Sequence, residues 1–264
     1  MNITQIETIR PAAFPELIFV QVQTDGGLVG LGETWYAASA VEGAIHDYFG
    51  PLLIGRDPFE IEAHWQTMFK RSDHAGYGGA EMRAISALDI ALWDIKGQAL
   101  DLPIFELIGG GTRHKVRVYN TLGVYGEITD GHDIWRRPVD VAQSLLDEGI
   151  GAMKFSPTDF IARASDGQLL FKKDLDWALA PWRKIREALG MEIDIANDAH
   201  AKWNLTNAIR IVEATEPLRP MWHEELLSPA NEEAHLRLQQ ATRTPIAAAE
   251  RLMTRYQHRR FIES

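Results

Sequence analysis

EIDIANDAH at residues 192–200, MWHEELL at 221–227 and PIAAAE at 245–250 share one build. Each is a short β-prone run that closes on an acid: Asp198, Glu224 and Glu250. The intervals are 224 − 198 = 26 and 250 − 224 = 26. Helical patterns fill the gaps at Leu205–Thr215 and Glu232–Ala241. Strands alternating with helices mean βαβ units and a parallel sheet. In a βα barrel one unit carries the chain to the same height on the neighbouring strand. Equal spacing therefore predicts three carboxylates side by side at the C-terminal rim, where such barrels do their chemistry. Converging carboxylates repel unless a hard cation lies between them, and Mg2+ suits oxygen donors while leaving positions for water or substrate. Taken singly, each acid is more readily an ordinary solvated or helix-capping residue; the spacing is what argues for a shared ion.

Outward from this core the rhythm continues. Upstream, Lys115–Asn120 is β-rich, Pro138–Glu148 helical, Gly151–Phe155 a strand and Asp174–Leu189 helical; downstream, Thr254–Glu263 starts another helix. That makes five βα units in 264 − 111 = 153 residues. The first 110 or so residues differ. Leu17–Gln23 alternates, Thr24–Gly27 signals a turn and Leu28–Glu33 returns, which predicts a β-hairpin. Gly26, Gly30 and Gly32 sit in this hairpin and do not open a helix, so they do not form a phosphate loop. Helical spacing follows at Val41–Phe49, Pro58–Lys70 and, most clearly, Ala80–Leu100. Pro103 and the glycines at 109–111 then end regular structure. The expected organisation is an α+β capping domain over 1–111 and, over 112–264, an incomplete TIM-type (β/α) barrel with about five of eight strands.

Two more residues stand where chemistry can use them. Lys154 lies in AMKFSP, at the end of the second strand of the series. It suits a proton shuttle or a holder of a substrate carboxylate; the competing reading is a surface lysine paired with an acid. His200 follows Asp198 by two, so in extended chain both share a face. Imidazole titrates near neutrality and suits general acid work, against the plain alternative of a histidine in a loop.

Composition narrows the function classes. With 37 acidic and 27 basic residues, the formal net charge of −10 argues against nucleic acid and against an anionic membrane. Without cysteine there are no disulfides, thiolate metal sites or thiol nucleophiles. Met1–Pro15 lacks the pattern of a signal peptide and no run is apolar enough to span a bilayer. A cytoplasmic protein is expected.

GLVGLGET (27–34), AISALDIALWDIKGQALDLPIFELIGG (84–110), AMKFSP (152–157), NDAH (197–200), WHEELLSP (222–229) and PIAAAERLMTRY (245–256) resemble the mandelate racemase and muconate lactonizing enzyme family of the enolase superfamily, in the family's order and over essentially the whole chain. The resemblance implies a cap over a (β/α)7β barrel. It implies Mg2+ ligands ending the third, fourth and fifth barrel strands, which by match are Asp198, Glu224 and Glu250. Leu226 and Leu227 depart from the family's usual proline soon after the second ligand. The implied chemistry is removal of a proton α to a carboxylate, giving an enediolate stabilised by Mg2+. Racemases of the group carry Lys-x-Lys at the second strand; here the second place is Ser156. Asp-x-His resembles the acid-sugar dehydratases, in which the histidine protonates the departing hydroxyl. The expected reaction is loss of water from a sugar acid to a 2-keto-3-deoxy acid. The cap loops around Phe14–Leu17 and Trp35–Ser39 are where the family sets specificity.

Family members continue through three more strands, which bring an Asp and a His that form a base dyad. With an eight-stranded barrel needing about 250 residues, a truncated chain is expected, inactive or nearly so as written. Open sheet edges make an isolated chain poorly folded or a homo-oligomer. The alternatives are a racemase or cycloisomerase of the same superfamily, or a non-catalytic fragment that assembles with another chain.

Overall fold

A computed structural model describes residues 1–263. The chain divides into two compact units: Met1–His114 with Met253–Tyr256, and Lys115–Leu252 with the residues from Gln257 onward.

The first unit begins with an antiparallel sheet in the order β1 (Ile3–Ile9), β2 (Leu17–Thr24), β3 (Val29–Trp35). Strict alternation in LIFVQVQT puts Ile18, Val20 and Val22 in the core and leaves the residues between them partly exposed. The hairpin is as expected, with Gly27 supplying a positive φ at the turn. β1 is a strand the sequence reading did not identify. Among the described residues it is an edge strand, paired only with β2, and its Thr4, Gln5 and Glu7 mask the alternation.

Gly30 and Gly32 have a packing role. A Cβ on Gly30 would lie 2.0 Å from the Ala91 carbonyl oxygen, and one on Gly32 would lie 1.9 Å from that of Ala87. The glycine face of β3 thus lets the long helix α4 (Ala80–Leu100) press directly on the sheet. Before α4, α1 (Ala38–Gly43) runs into π-helical turns at Ala44–Phe49 and on into α2 (Gly50–Leu53), so the expected Val41–Phe49 helix is part of a longer stretch. α3 (Ile61–Arg71) starts three residues after Pro58, and α5 (Ile104–Leu107) is a single turn.

The second unit holds a five-stranded parallel sheet: β4 (Asn120–Thr121), β5 (Ala152–Phe155), β6 (Asp194–Asp198), β7 (His223–Glu224) and β8 (Ile246–Ala247), paired in sequence order. Helices alternate with the strands. α6 (Asp130–Arg136) and α7 (Pro138–Asp147) precede β5, and α8 (Asp159–Arg163), α9 (Lys172–Ala178) and α10 (Ala180–Leu189) precede β6. α11 (Leu205–Thr215) precedes β7, α12 (Glu232–Gln240) precedes β8, and α13 (Thr254–Glu263) follows. Met153, Ile193, Ile195 and Trp182 are fully buried in this unit's core.

Three expectations change in detail. Of the expected run Lys115–Asn120 only Asn120 pairs with β5, together with Thr121 just beyond it; Val116 and Val118 are exposed. The helix expected over Asp174–Leu189 is two, meeting at Leu179 just before Pro181, which has no N–H to continue the first. β7 and β8 are two residues each, shorter than the runs that suggested them. Among the described residues no helix is long and apolar enough to cross a membrane.

Candidate active site

Parallel register decides which strand-end side chains meet. Lys154 of β5 pairs with Ala196 of β6, and Asp198, two residues on, shares that face. Asp198 pairs with Glu224 of β7, as the 26-residue spacing requires. The ladder then continues past the strand ends: Ala199 N donates to Glu224 O at 3.1 Å and Ala201 N to Glu225 O at 2.6 Å.

Lys154, Asp198 and Glu224 converge. The Lys154 Nζ lies 2.9 Å from both carboxylate oxygens of Glu224 and 3.4 Å from Asp198 Oδ2. All three side chains are largely buried. Trp222 Nε1 donates to Glu224 Oε2 at 3.1 Å, and the ring of Tyr119 lies under the ammonium at 5.6 Å. Burial presses Lys154 towards its neutral form. The bond to Glu224 and the charges of Asp198 and Glu224 outweigh that and hold its pKa above the usual lysine value.

Glu250 is placed differently. Glu224 pairs with Ala247, only 23 residues on, so Glu250 lies three residues beyond the register position. Ala249 has φ 90, which turns the chain before it, and Glu250 is exposed. Among the described residues no three His, Asp or Glu side chains are grouped closely enough to hold one ion. Asp198 and Glu224 do fit a hard cation: two oxygen donors on adjacent strands already share one cationic atom.

His200 sits over the same cluster. Its Nδ1 is 2.9 Å from Asp159 Oδ2 and its Nε2 is 3.5 Å from Asp198 Oδ2. Its backbone is left-handed (φ 48), as is that of Ala201 (φ 58), a conformation uncommon outside glycine. Asp198 Oδ1 accepts from His200 N at 3.2 Å, which helps to hold this bend. The bond to Asp159, with the Asp198 charge, raises the imidazole pKa above its usual value against the opposing effect of burial. Burial alone would raise the Asp159 carboxyl, but the hydrogen bonds from His200 and Lys202 prevail and hold it low.

Asp159 is the site residue that sequence reading missed. It opens α8 in SPTDF, a strand-end acid like the others but outside the 26-residue repeat. Lys202 also contacts its Oδ2, and Trp203 Nε1 donates to the neighbouring Thr158 Oγ1 at 3.1 Å. Arg251 was missed too. It contacts the buried Glu225 and donates to His200 O at 3.3 Å, joining the loops after β6, β7 and β8. A cavity of about 310 Å3 opens beside the cluster, lined among others by Thr121, Trp135, Lys154, Ser156, Asp198 and His200.

Comparison with known proteins gives a consistent answer. Residues 6–109 match the profile of the mandelate racemase / muconate lactonizing enzyme N-terminal domain, and 138–264 match the enolase C-terminal domain-like profile. The chain is 36% identical over 268 residues to a D-galactonate dehydratase of Variovorax paradoxus (strain S110) and 33% identical over 266 residues to one of Klebsiella pneumoniae (strain 342). All of this chain is covered in both matches, which span 65% of the length of each of these relatives. Among solved structures, an enolase of the mandelate racemase subgroup from Agrobacterium tumefaciens superposes with a TM-score of 0.90 at 39% identity, covering 100% of this chain and 68% of that one. An enolase superfamily member from Salmonella typhimurium gives 0.89 at 31%, covering 99% and 71%. The capping-domain-plus-barrel fold of the enolase superfamily accounts for both units, and the chain belongs to the mandelate racemase / muconate lactonizing enzyme family.

Proposed function

We propose that the protein acts in Mg2+-dependent dehydration of a sugar acid to a 2-keto-3-deoxy acid. The observation that carries this reading is the in-register pair Asp198 and Glu224 focused on one cationic atom, with His200 directly beside it. Asp198 and Glu224 would hold the metal, and Glu250, exposed and three residues past the register position, would join them only if the loop after β8 brought it closer. The chemistry Mg2+ supplies when bound is Lewis-acid stabilisation of negative charge on the substrate carboxylate. Lys154 binds that carboxylate and neutralises part of its charge. His200 would give its Nε2 proton to the departing hydroxyl, which leaves as water, while the α-proton would pass to a base that none of these residues supplies and that the resemblance assigns to an Asp and a His on later strands. The hydroxyls of Thr121 and Ser156, with the Trp135 ring, offer the cavity a mixed polar and aromatic lining suited to a polyol chain. D-galactonate, the substrate named for two relatives, is the first candidate.

Ser156 speaks against a racemase, which needs a second base on this face, and it favours the dehydratase reading over the racemase and cycloisomerase alternatives.

The test pairs binding with turnover. Mn2+ binding followed by electron paramagnetic resonance should show one site, weakened at least tenfold in both Asp198→Asn and Glu224→Gln. Turnover of a panel of aldonic acids with Mg2+ to a 2-keto-3-deoxy acid is expected once the chain is completed by strands that carry the base dyad, and there His200→Gln should abolish it while sparing Mn2+ binding. Mn2+ binding unaffected by either carboxylate change would remove the metal assignment. No product from any sugar acid would remove the activity.

A further inference from the structure

We propose that Trp222 is a positioning residue for Glu224: its indole N–H holds Oε2 of the carboxylate and leaves Oε1 to meet a divalent cation. This role rests on the metal-donor reading of Glu224 given above.

The strand sets up the contact. Residues two apart on a strand point to the same face, so Trp222 and Glu224 share one face and His223, between them, takes the other. His223 is fully buried there, with the side chains of Asn197 and Thr215 beside its ring nitrogens. The backbone of Trp222 is pinned from β6. Asn197 N donates to Trp222 O at 3.0 Å, and Met221 N, one residue earlier, donates to Ile195 O at 2.8 Å. The side chain is braced by Tyr119, whose ring meets the indole edge to face, with centroids 5.2 Å apart and an interplanar angle of 78°. From this position Trp222 Nε1 donates to Glu224 Oε2 at 3.1 Å.

The two donors to Glu224 differ in kind. Lys154 is a cation 2.9 Å from both oxygens. A divalent cation at the same carboxylate competes with that ammonium, because like charges repel. Indole is neutral and only donates, so it does not compete. It leaves the charge of the carboxylate for a metal and takes away its freedom to rotate. Hydrogen bonds of this kind orient ligating carboxylates, and losing one weakens metal binding about 10- to 100-fold.

Two measurements on the whole chain test the role. The first is Mn2+ affinity by electron paramagnetic resonance. Trp222→Phe keeps an aromatic ring against Tyr119 and loses the N–H, and it should weaken binding about tenfold. With Glu224→Gln already in place, it should weaken binding no further. The second is the indole N–H signal of Trp222 in 15N-labelled protein, assigned through its correlations to the Trp222 backbone. It should lie downfield in the metal-free chain, move upfield in Glu224→Gln and stay downfield on saturation with Mg2+. Unchanged affinity in Trp222→Phe, an equal loss with and without Glu224, or an indole signal unmoved by Glu224→Gln would overturn the proposal. So would a wild-type signal at the position of an unbonded indole, with or without Mg2+, whether or not any variant folds. Those outcomes count against Trp222 alone. Wild-type protein that binds no Mn2+ would overturn the proposal together with the metal role of Glu224.

Discussion

The Lys154 ammonium is equidistant, at 2.9 Å, from the two carboxylate oxygens of Glu224. With Asp198 Oδ2 at 3.4 Å it forms a buried triad in which one positive charge faces two negative ones. Such a triad is worth little against an apolar replacement of all its members, but removing one member alone leaves the others buried and uncompensated. The same ammonium stands where a divalent cation would meet both acids.

Lys154→Met should therefore act in two directions. Chemical denaturation of the chelator-treated protein should show a loss of about 3 kcal/mol. Mn2+ binding should tighten, because a competing positive charge is gone. Unchanged stability and unchanged affinity together would mean that the triad is not formed.

Asp89 on α4 gives the first unit an acid-favouring stability. Burial, and secondarily the nearby Glu62, push its carboxyl up to about 6. A carboxyl raised in the fold contributes stability that is complete below its unfolded value near 3.8 and is lost as pH rises through about 6. Asp89→Asn should raise thermal stability at pH 8 by on the order of 1–2 kcal/mol, allowing for partial exposure, and do almost nothing at pH 4. An equal gain at both pH values would contradict the assignment.

His223 gives the second unit the opposite slope. It is fully buried between Asn197 and Thr215, whose side chains approach its Nδ1 at 3.2 Å and its Nε2 at 3.4 Å. Burial pushes its pKa down to about 4. A histidine depressed in the fold contributes stability that is present above its unfolded value near 6.5 and is lost as pH falls through about 4. Up to about 3 kcal/mol should disappear over that window, and His223→Gln should flatten this acid limb in urea titrations followed by tryptophan fluorescence. A limb that persists unchanged in the variant would assign it to other groups.

Gly32→Ala should cost about 2–4 kcal/mol, because the added methyl meets the Ala87 carbonyl carbon and oxygen, which belong to helix backbone and yield only if α4 moves off the sheet. Gly27→Asn, at the hairpin turn where nothing crowds the added atoms and asparagine tolerates positive φ, should cost well under 1 kcal/mol. Urea midpoints of the two variants compare them directly, and equal losses would refute close packing of β3 on α4.

Local chemistry let the sequence alone determine a great deal. Alternation in Leu17–Thr24 marks the hairpin, helical spacing marks α4, and the succession of βα runs from Gly151 onward marks a parallel sheet, because each pattern is set by which face of an element meets the core. The pairing of Asp198 with Glu224 was also legible, since one full βα unit returns the chain to equal height. Tertiary structure decided what spacing cannot encode. Register places Ala247, not Glu250, beside Glu224, because β8 pairs three residues earlier than the repeat implies. Lys154 reaches an acid 70 residues away, and Asp159 reaches His200 across a left-handed bend. These contacts depend on how loops close over a sheet, which is governed by packing and hydrogen bonding among distant segments and leaves no period in the chain.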